Sequence, residues 1–169
     1  MKKIGIISDT HGFLDPKVKN YFSEVDEIWH AGDIGSLKVT DGLQNISYLR
    51  GVFGNIDDTT VRSEFPEFQF FVIEDIPVLM LHIAGRPDKY SARAIQLIEE
   101  YKPKILVCGH SHILLVKMST KYNLLHINPG AAGNKGFHGV KTLLRFEIDG
   151  SSIQKMEVIE MGSRNSANL

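Results

Sequence analysis

The sequence predicts an α/β domain, with parallel βαβ units first and antiparallel strands afterwards. Two observations carry this. Through the first half, short and continuous apolar runs alternate with segments of helical periodicity, the pattern of strands buried on both faces. Beyond it, the runs are joined by turn dipeptides and read as hairpins. At 169 residues the chain has the length of one domain with a substantial core.

Ile4 to Ile7 is the first buried strand. Asp15 followed by Pro16 marks a helix start, and Val18, Tyr21, Phe22 and Val25 then share one apolar face. Glu27 to Ala31 is a second strand, Ser36 caps a helix running to Leu43, and Ile46 to Phe53 is a third strand. Phe68 to Ile73 and Val78 to Leu81 are apolar runs joined by the hairpin-like connection Glu74-Asp75-Ile76-Pro77. Tyr90, Ala94, Leu97, Ile98 and Tyr101 line one face of a further helix, which Pro103 stops. Lys104 to Cys108 is another buried strand. Leu114 to Met118, Tyr122 to Ile127, Val140 to Ile148 and Ser152 to Ile159 complete the β content, with Asp149-Gly150 turning between the last two. The domain is expected to span residues 1–160, and residues 161–169 to form a polar, frayed tail.

A formal net charge of −1 provides no field to recruit nucleic acid or an anionic membrane, so neither is an expected partner. An anionic substrate would have to be attracted by a local charge. Cys108 is the only cysteine, which rules out a disulfide within the chain and suits a reducing cytoplasm. Met1-Lys2-Lys3 leads into an apolar run too short for a signal-peptide core. No stretch approaches the roughly 18 apolar residues of a membrane-spanning helix. The expectation is a soluble, cytoplasmic protein, with no oligomeric state specified.

The chemistry collects where the apolar runs end. The first ends in Ser8-Asp9-Thr10-His11-Gly12, the second in His30-Ala31-Gly32-Asp33, and the third in Phe53-Gly54-Asn55-Ile56-Asp57. A fourth ends at Leu81-His82 and a fifth at Cys108-Gly109-His110-Ser111-His112. In an open α/β sheet the carboxyl ends of parallel strands line up along the edge where ligands bind. Singly, these motifs are ordinary turns or core histidines; it is their conjunction at successive strand ends that points to a site. The cluster offers carboxylate, amide and imidazole but no thiolate. That donor set suits manganese first, with zinc, iron, nickel or cobalt as alternatives, and fits a structural zinc or calcium site poorly. Asp9, His11, Asp33, Asn55, His82, His110 and His112 are too many ligands for one tetrahedral ion and suit two divalent ions, roughly 3.5–4 Å apart in known two-metal sites. With Asp9, Asp33 and a bridging hydroxide, such a pair retains about one positive charge, a match for a phosphodiester monoanion. The ions would also acidify bound water into a nucleophile. No Ser or Cys nucleophile is then needed.

Asp9-Thr-His11, Gly32-Asp33, Gly54-Asn55-Ile-Asp57, His82, Gly109-His-Ser-His112 and Asn128-Pro-Gly130 together resemble the blocks of the calcineurin-like metallophosphoesterase superfamily. The resemblance is to its small single-domain phosphodiesterase branch, which also contains the retromer scaffold subunit, and it covers most of the domain. It implies a four-layer α-β-β-α sandwich with two mixed β-sheets and helices on the outside. It further implies that Asp9, His11 and His112 hold one metal, that Asn55, His82 and His110 hold the second, and that Asp33 bridges them. Asn128-Pro129-Gly130 would support the ligand loops through its backbone. The implied activity is hydrolysis of a small-molecule phosphodiester. A non-catalytic scaffold on the same fold and a nucleotide phosphomonoesterase are the alternatives.

Two departures from that pattern stand out. Larger members carry a His after the Asn of the third block, able to protonate the leaving oxygen; here Ile56 stands there, as is common in the small branch. Loss of a positioned general acid costs about 10²–10⁴-fold, so slow turnover and a preference for good leaving groups are expected. His82 is followed by Ile83-Ala84-Gly85 where relatives have Gly and a second His. Asn55 and Arg86 are the candidate substrate contacts; Lys89 is placed similarly, with solvated loop charge as the alternative for both basic residues. Asp57 is expected either to accept from a ligand imidazole or to cap a helix. His138 belongs to the glycine-rich stretch Gly130 to Gly139, which is placed to lie over the cavity, but a surface loop histidine is the expectation; His30 and His126 are expected to be structural.

Overall fold

A computed structural model describes residues 1–165. The elements run β1 (Lys2–Ile7), α1 (Val18–Tyr21), β2 (Glu27–His30), α2 (Leu37–Gln44), β3 (Tyr48–Gly51) and α3 (Thr59–Glu64). Then follow β4 (Phe68–Ile73), β5 (Ile76–Leu81), β6 (Gly85–Arg86), β7 (Lys89–Tyr90), α4 (Ala92–Tyr101) and β8 (Ile105–Val107). The chain continues through β9 (Leu114–Ser119), β10 (Leu124–Pro129), β11 (Val140–Asp149) and β12 (Ser152–Ser163).

The continuous apolar runs have hydrocarbon on both sides because they are central strands of two stacked sheets. One five-stranded sheet has the order β12-β11-β1-β2-β3 and the other β4-β5-β8-β10-β9. β1, β2 and β3 are mutually parallel, as are β5, β8 and β10. Alternation along each strand then decides which layer a side chain joins. Ile4 and Ile6 of β1 meet Val78 and Met80 of β5 and Ile105 and Val107 of β8 in the core between the sheets. Ile7 faces the other way, toward Val18, Val39, Leu43 and Val61 of the first three helices and Phe22 just past α1. Leu79 and Leu106 face outward onto Ala94, Leu97 and Ile98 of α4. Three cores separating four layers give the expected α-β-β-α sandwich, with short helices.

Several local expectations are corrected. α1 is a single turn whose N-cap is Lys17, so Pro16 precedes the helix. Asp15 instead opens a turn, accepting from the Lys17 N–H through its side chain at 2.9 Å, and Ser23 Oγ bonds back to the Asn20 carbonyl just beyond the helix. The connection between β4 and β5 is only Glu74-Asp75, because Ile76 is buried and Pro77 pairs with Val72 inside the sheet. Tyr90 lies in β7 rather than α4; Ser91 caps that helix by accepting from Ala94 N–H at 3.2 Å. The helix that Asp57 was a candidate to cap is α3, and its N-cap is Asp58. β12 runs past position 160 to Ser163, since Met161 is buried and Ser163 pairs with Val140. Arg164 and Asn165 follow as a turn, and residues 166–169 of the expected tail lie outside the described residues. Among the described residues no helix is long and apolar enough to cross a membrane.

One ion pair is fully enclosed. Lys141 Nζ on β11 donates to Asp15 Oδ2 at 2.7 Å, and neither side chain is more than 3% exposed. It ties the segment after β1 to β11, the strand that pairs with β1 on the edge opposite β2. Burial alone would raise the Asp15 carboxyl; the hydrogen bonds from Lys141 and Lys17 N–H outweigh it and hold the group below its ordinary value. A depressed carboxylate stabilises the fold above its unfolded pKa, and that contribution is lost as pH falls through the folded value. Lys141→Ala should destabilise the protein by about 3–5 kcal/mol, because it strands a buried carboxylate. Urea denaturation at pH 7 measures the loss, which should shrink on acidification.

Candidate metal centre

Two groups of parallel strands end at the same place. β1 delivers Asp9 and His11, β2 delivers Asp33 and β3 delivers Asn55, all from one sheet. β5 and β8, in the other sheet, deliver His82, His110 and His112. The expectation of one sheet edge is therefore corrected to a junction between two. Backbone hydrogen bonds lace the loops: Asp9 N–H to Gly32 O, His11 N–H to Asp33 O, and Gly109 N–H to His82 O, each 3.0 Å.

The loops turn in so tightly that Asp9, His11, Asp33, His110 and His112 all have positive φ, from 47° to 71°. Non-glycine residues in this region cost about 1–3 kcal/mol each. Such strain persists only where the surroundings over-determine it. Gly32, at φ 100°, allows a close approach: a Cβ there would lie 2.6 Å from His82 Nδ1.

The side chains form two groups. Ligand atoms of Asp9, His11 and His112 lie within 4.8 Å of one another, and so do those of Asp33, His82 and His110. Asn55 Oδ1 joins the second group, 2.9 Å from His110 Nδ1. The groups adjoin, because His11 Nε2 is 3.4 Å from Asp33 Oδ2 and His82 Nε2 is 3.8 Å from Asp9 Oδ1. Asp9 Oδ1, His11 Nε2 and His82 Nε2 are buried without a hydrogen-bond partner. Unpaired buried polar atoms are costly and rare; here they converge on one point, as donors to a shared cation would.

The electrostatics follow from two carboxylates enclosed together. Burial alone would raise Asp9, but His11, His112, His82 and the Ser8 hydroxyl outweigh it and hold it well below the carboxylate range. Asp33 is lowered in the same way by His11, His82 and the Ile56 N–H, against its burial. Reciprocally, Asp33 and then Asp9 raise the His11 imidazole to about 9. His82 is also raised, its burial opposed by Asp33 and Asp9.

The supporting contacts leave the free atoms pointing at the centre. Ser8 Oγ (2.7 Å) and His110 N–H (3.1 Å) both donate to Asp9 Oδ2, leaving Oδ1. His82 Nδ1 lies 2.7 Å from Ala31 O, which makes Nδ1 the N–H and leaves Nε2 for the site. Asp57 does neither thing expected of it. Its carboxylate accepts from Ile34, Gly35 and Gly54 N–H at 3.1, 2.7 and 2.8 Å, joining two ligand loops, while Asp58 caps α3. Asn128 supports the ligand loops through its side chain rather than its backbone: Nδ2 donates to Gly109 O and Ser111 Oγ.

His138 is no bystander. Its Nε2 is 2.8 Å from Gly133 O and its Nδ1 is 3.1 Å from His112 Nδ1. A carbonyl requires Nε2 to donate, so the neutral ring accepts at Nδ1, and His112 must donate there. That leaves His112 Nε2 facing Asp9 Oδ1, 3.2 Å away. The glycine-rich stretch was the available signal: a side chain at Gly136 would overlap the His112 ring.

The remaining candidates stay apart from this chemistry. His30 is held by Thr10 Oγ1 at 2.9 Å and pushed down to about 4 by burial. His126 contacts Tyr90 Oη at 3.1 Å and Cys108 Sγ at 3.5 Å, and burial lowers it to about 4. Arg86 pairs with Lys89 across the β6–β7 hairpin, exposed, in the wall of a cavity that also contains His110.

Comparisons with known proteins agree with this geometry. Residues 1–151 match the sequence model of the calcineurin-like phosphoesterase superfamily domain. A probable metallophosphoesterase of Methanocaldococcus jannaschii is 31% identical over 136 residues, covering 76% of this chain and 67% of that one. Among solved structures, Vps29 of Chaetomium thermophilum superposes with TM-score 0.76 at 18% identity, covering 95% of each chain. A novel archaeal phosphodiesterase superposes with TM-score 0.73 at 21% identity, covering 94% of this chain and 99% of that one.

Two measurements follow. The raised His11 contributes stability that is fully present below its unfolded value near 6.5 and lost as pH rises through about 9. Chelator-treated protein should therefore lose thermal stability between those pH values, as a melting series reports. His138→Leu should weaken metal binding by roughly 10–100-fold, read by competition with a chromophoric chelator.

Proposed function

The chain belongs to the calcineurin-like phosphoesterase superfamily, and we propose that within it this protein is a phosphodiesterase working with two divalent metal ions. The observation that carries the proposal is the set of buried, unpaired atoms on Asp9, His11 and His82, inside two adjoining groups of oxygen and nitrogen donors. Asp9, His11 and His112 would hold one ion, Asn55, His82 and His110 the other, with Asp33 shared between them. Manganese fits this donor set best, and zinc, iron, nickel and cobalt are compatible. Bound there, the ions supply an acidified water and polarise the phosphoryl oxygens of a small-molecule diester.

The chain's own residues set the limits of the reaction. Cys108 is buried and its thiol is pushed far up by that burial, so it supplies no thiolate nucleophile. Ser8 Oγ is committed to Asp9 Oδ2. Ile56, 45% exposed beside Asn55, has no proton for a leaving oxygen. The leaving group must then depart as an anion or take its proton from solvent, which favours acidic alcohols and phenols.

The likeness to Vps29 supports a second reading, a binding scaffold on the same fold. A scaffold has no need of a complete donor set, and all the expected positions are filled here. Hydrolysis of a bis-aryl phosphodiester, assayed with and without manganese, separates the two. Manganese-dependent turnover is expected, together with a steep dependence on leaving-group acidity. His82→Ala should lower kcat/KM by at least about a hundredfold. No turnover from protein shown to contain two ions would overturn the enzyme reading.

A further inference from the structure

Two cavities flank the metal centre, and Ile83 belongs to the wall of both. One, of about 370 Å³, has Phe53, Leu81 and Ile83 beside the site residues Asn55 and His82. The other, of about 260 Å³, has Ile83, Ala84, Ile113 and Leu115 beside the site residue His110. The charges in the first wall cancel, since Arg93 Nε bonds Glu67 Oε1 at 3.0 Å. The second wall contains Arg86 as its one ionic side chain. Exposed apolar residues directly follow three site residues in the chain: Ile56 after Asn55, Ile83 after His82 and Ile113 after His112. Exposed hydrocarbon grouped around a highly polar centre marks a place where part of a ligand lies.

A phosphodiester has two non-ester oxygens and two ester arms. With its phosphoryl group at the donor cluster, the arms must leave on either side. We propose that the two cavities are subsites for these two arms, that both arms are apolar aryl or alkyl groups, and that Ile83 is the partition between them. This inference rests on the phosphodiesterase reading and narrows it to a substrate class. A monoester has one arm and would fill only one cavity, leaving the apolar wall of the other, with Phe53 and Leu81 on one side or Ala84, Ile113 and Leu115 on the other, uncovered. The site therefore selects diesters over monoesters, and bulky apolar arms over methyl groups.

Dibenzyl phosphate and dimethyl phosphate are the probes. Their affinities are measured by calorimetry on zinc-loaded protein, with methyl-labelled isoleucines followed by NMR. Burying one apolar arm is worth roughly ten- to a hundredfold in affinity, so dibenzyl phosphate should bind at least about tenfold tighter. It should also shift the Ile83 and Ile113 methyl signals. Ile83→Ser and, separately, Ile113→Ser should each reduce the preference for the benzyl ligand to below about threefold; both positions are exposed, 43% and 65%, and tolerate the change. Equal affinity for the two ligands, no binding of either, or shifts confined to other isoleucines would overturn the proposal. Equal affinity with turnover intact removes the subsites alone. The expected preference in protein without any turnover keeps the subsites and removes the hydrolase.

Discussion

Asp9 and Asp33 are two carboxylates shut into one place, 0% and 2% exposed, and they can stay ionised only beside cations. Everything nearby answers that requirement. His11 and His82 carry raised proton affinities because the two acids are there. Left-handed backbone at Asp9, His11, Asp33, His110 and His112 turns the donors inward instead of letting them reach solvent. Glycines at 32, 54 and 109 are in contact range of His82, Asp33 and Asp9, where a Cβ would collide. The site is thus a charge problem that the loops are built to hold open, with protons as the weaker answer and divalent metal as the stronger one.

Much of this was legible in the sequence because the donors sit directly after the strands that place them. Asp9, Asp33, Asn55, His82, His110 and His112 each follow an apolar run by a few residues, and the parallel strands do the rest. The division into two sheets was legible only through the family resemblance, since a continuous apolar run reads the same in either sheet. His138 escaped because its role depends on the path of a loop, which no periodicity records. Asp57 was singled out but misassigned: its three backbone donors come from residues 34, 35 and 54, a grouping that exists only in the folded chain. At the end of the domain, polar composition suggested fraying, while pairing with β11 carried β12 to Ser163.

The same loops divide labour between fixing the centre and shaping its surroundings. Ser8, Asp57, Asn128 and His138 act inward, on the ligands and their backbone. Ile56, Ile83 and Ile113 face outward at positions immediately beside the ligands. On the diester reading proposed above, these three exposed isoleucines would set specificity through the shape and solvation of the arms rather than through hydrogen bonds.

The order of strands in the first sheet has a kinetic side. β1 lies between β2, its near neighbour in sequence, and β11, which joins it only through pairs such as Lys2 with Ile148. The whole of the second sheet, from Phe68 to Pro129, is laid down between them. During synthesis Asp9 must therefore wait for His112 and then for the strand that closes its own sheet, so the centre is assembled by some of the longest loop closures in the chain. A nascent chain would expose β1 on one edge until β11 arrives, and the ability to capture metal would be among the last properties the protein acquires.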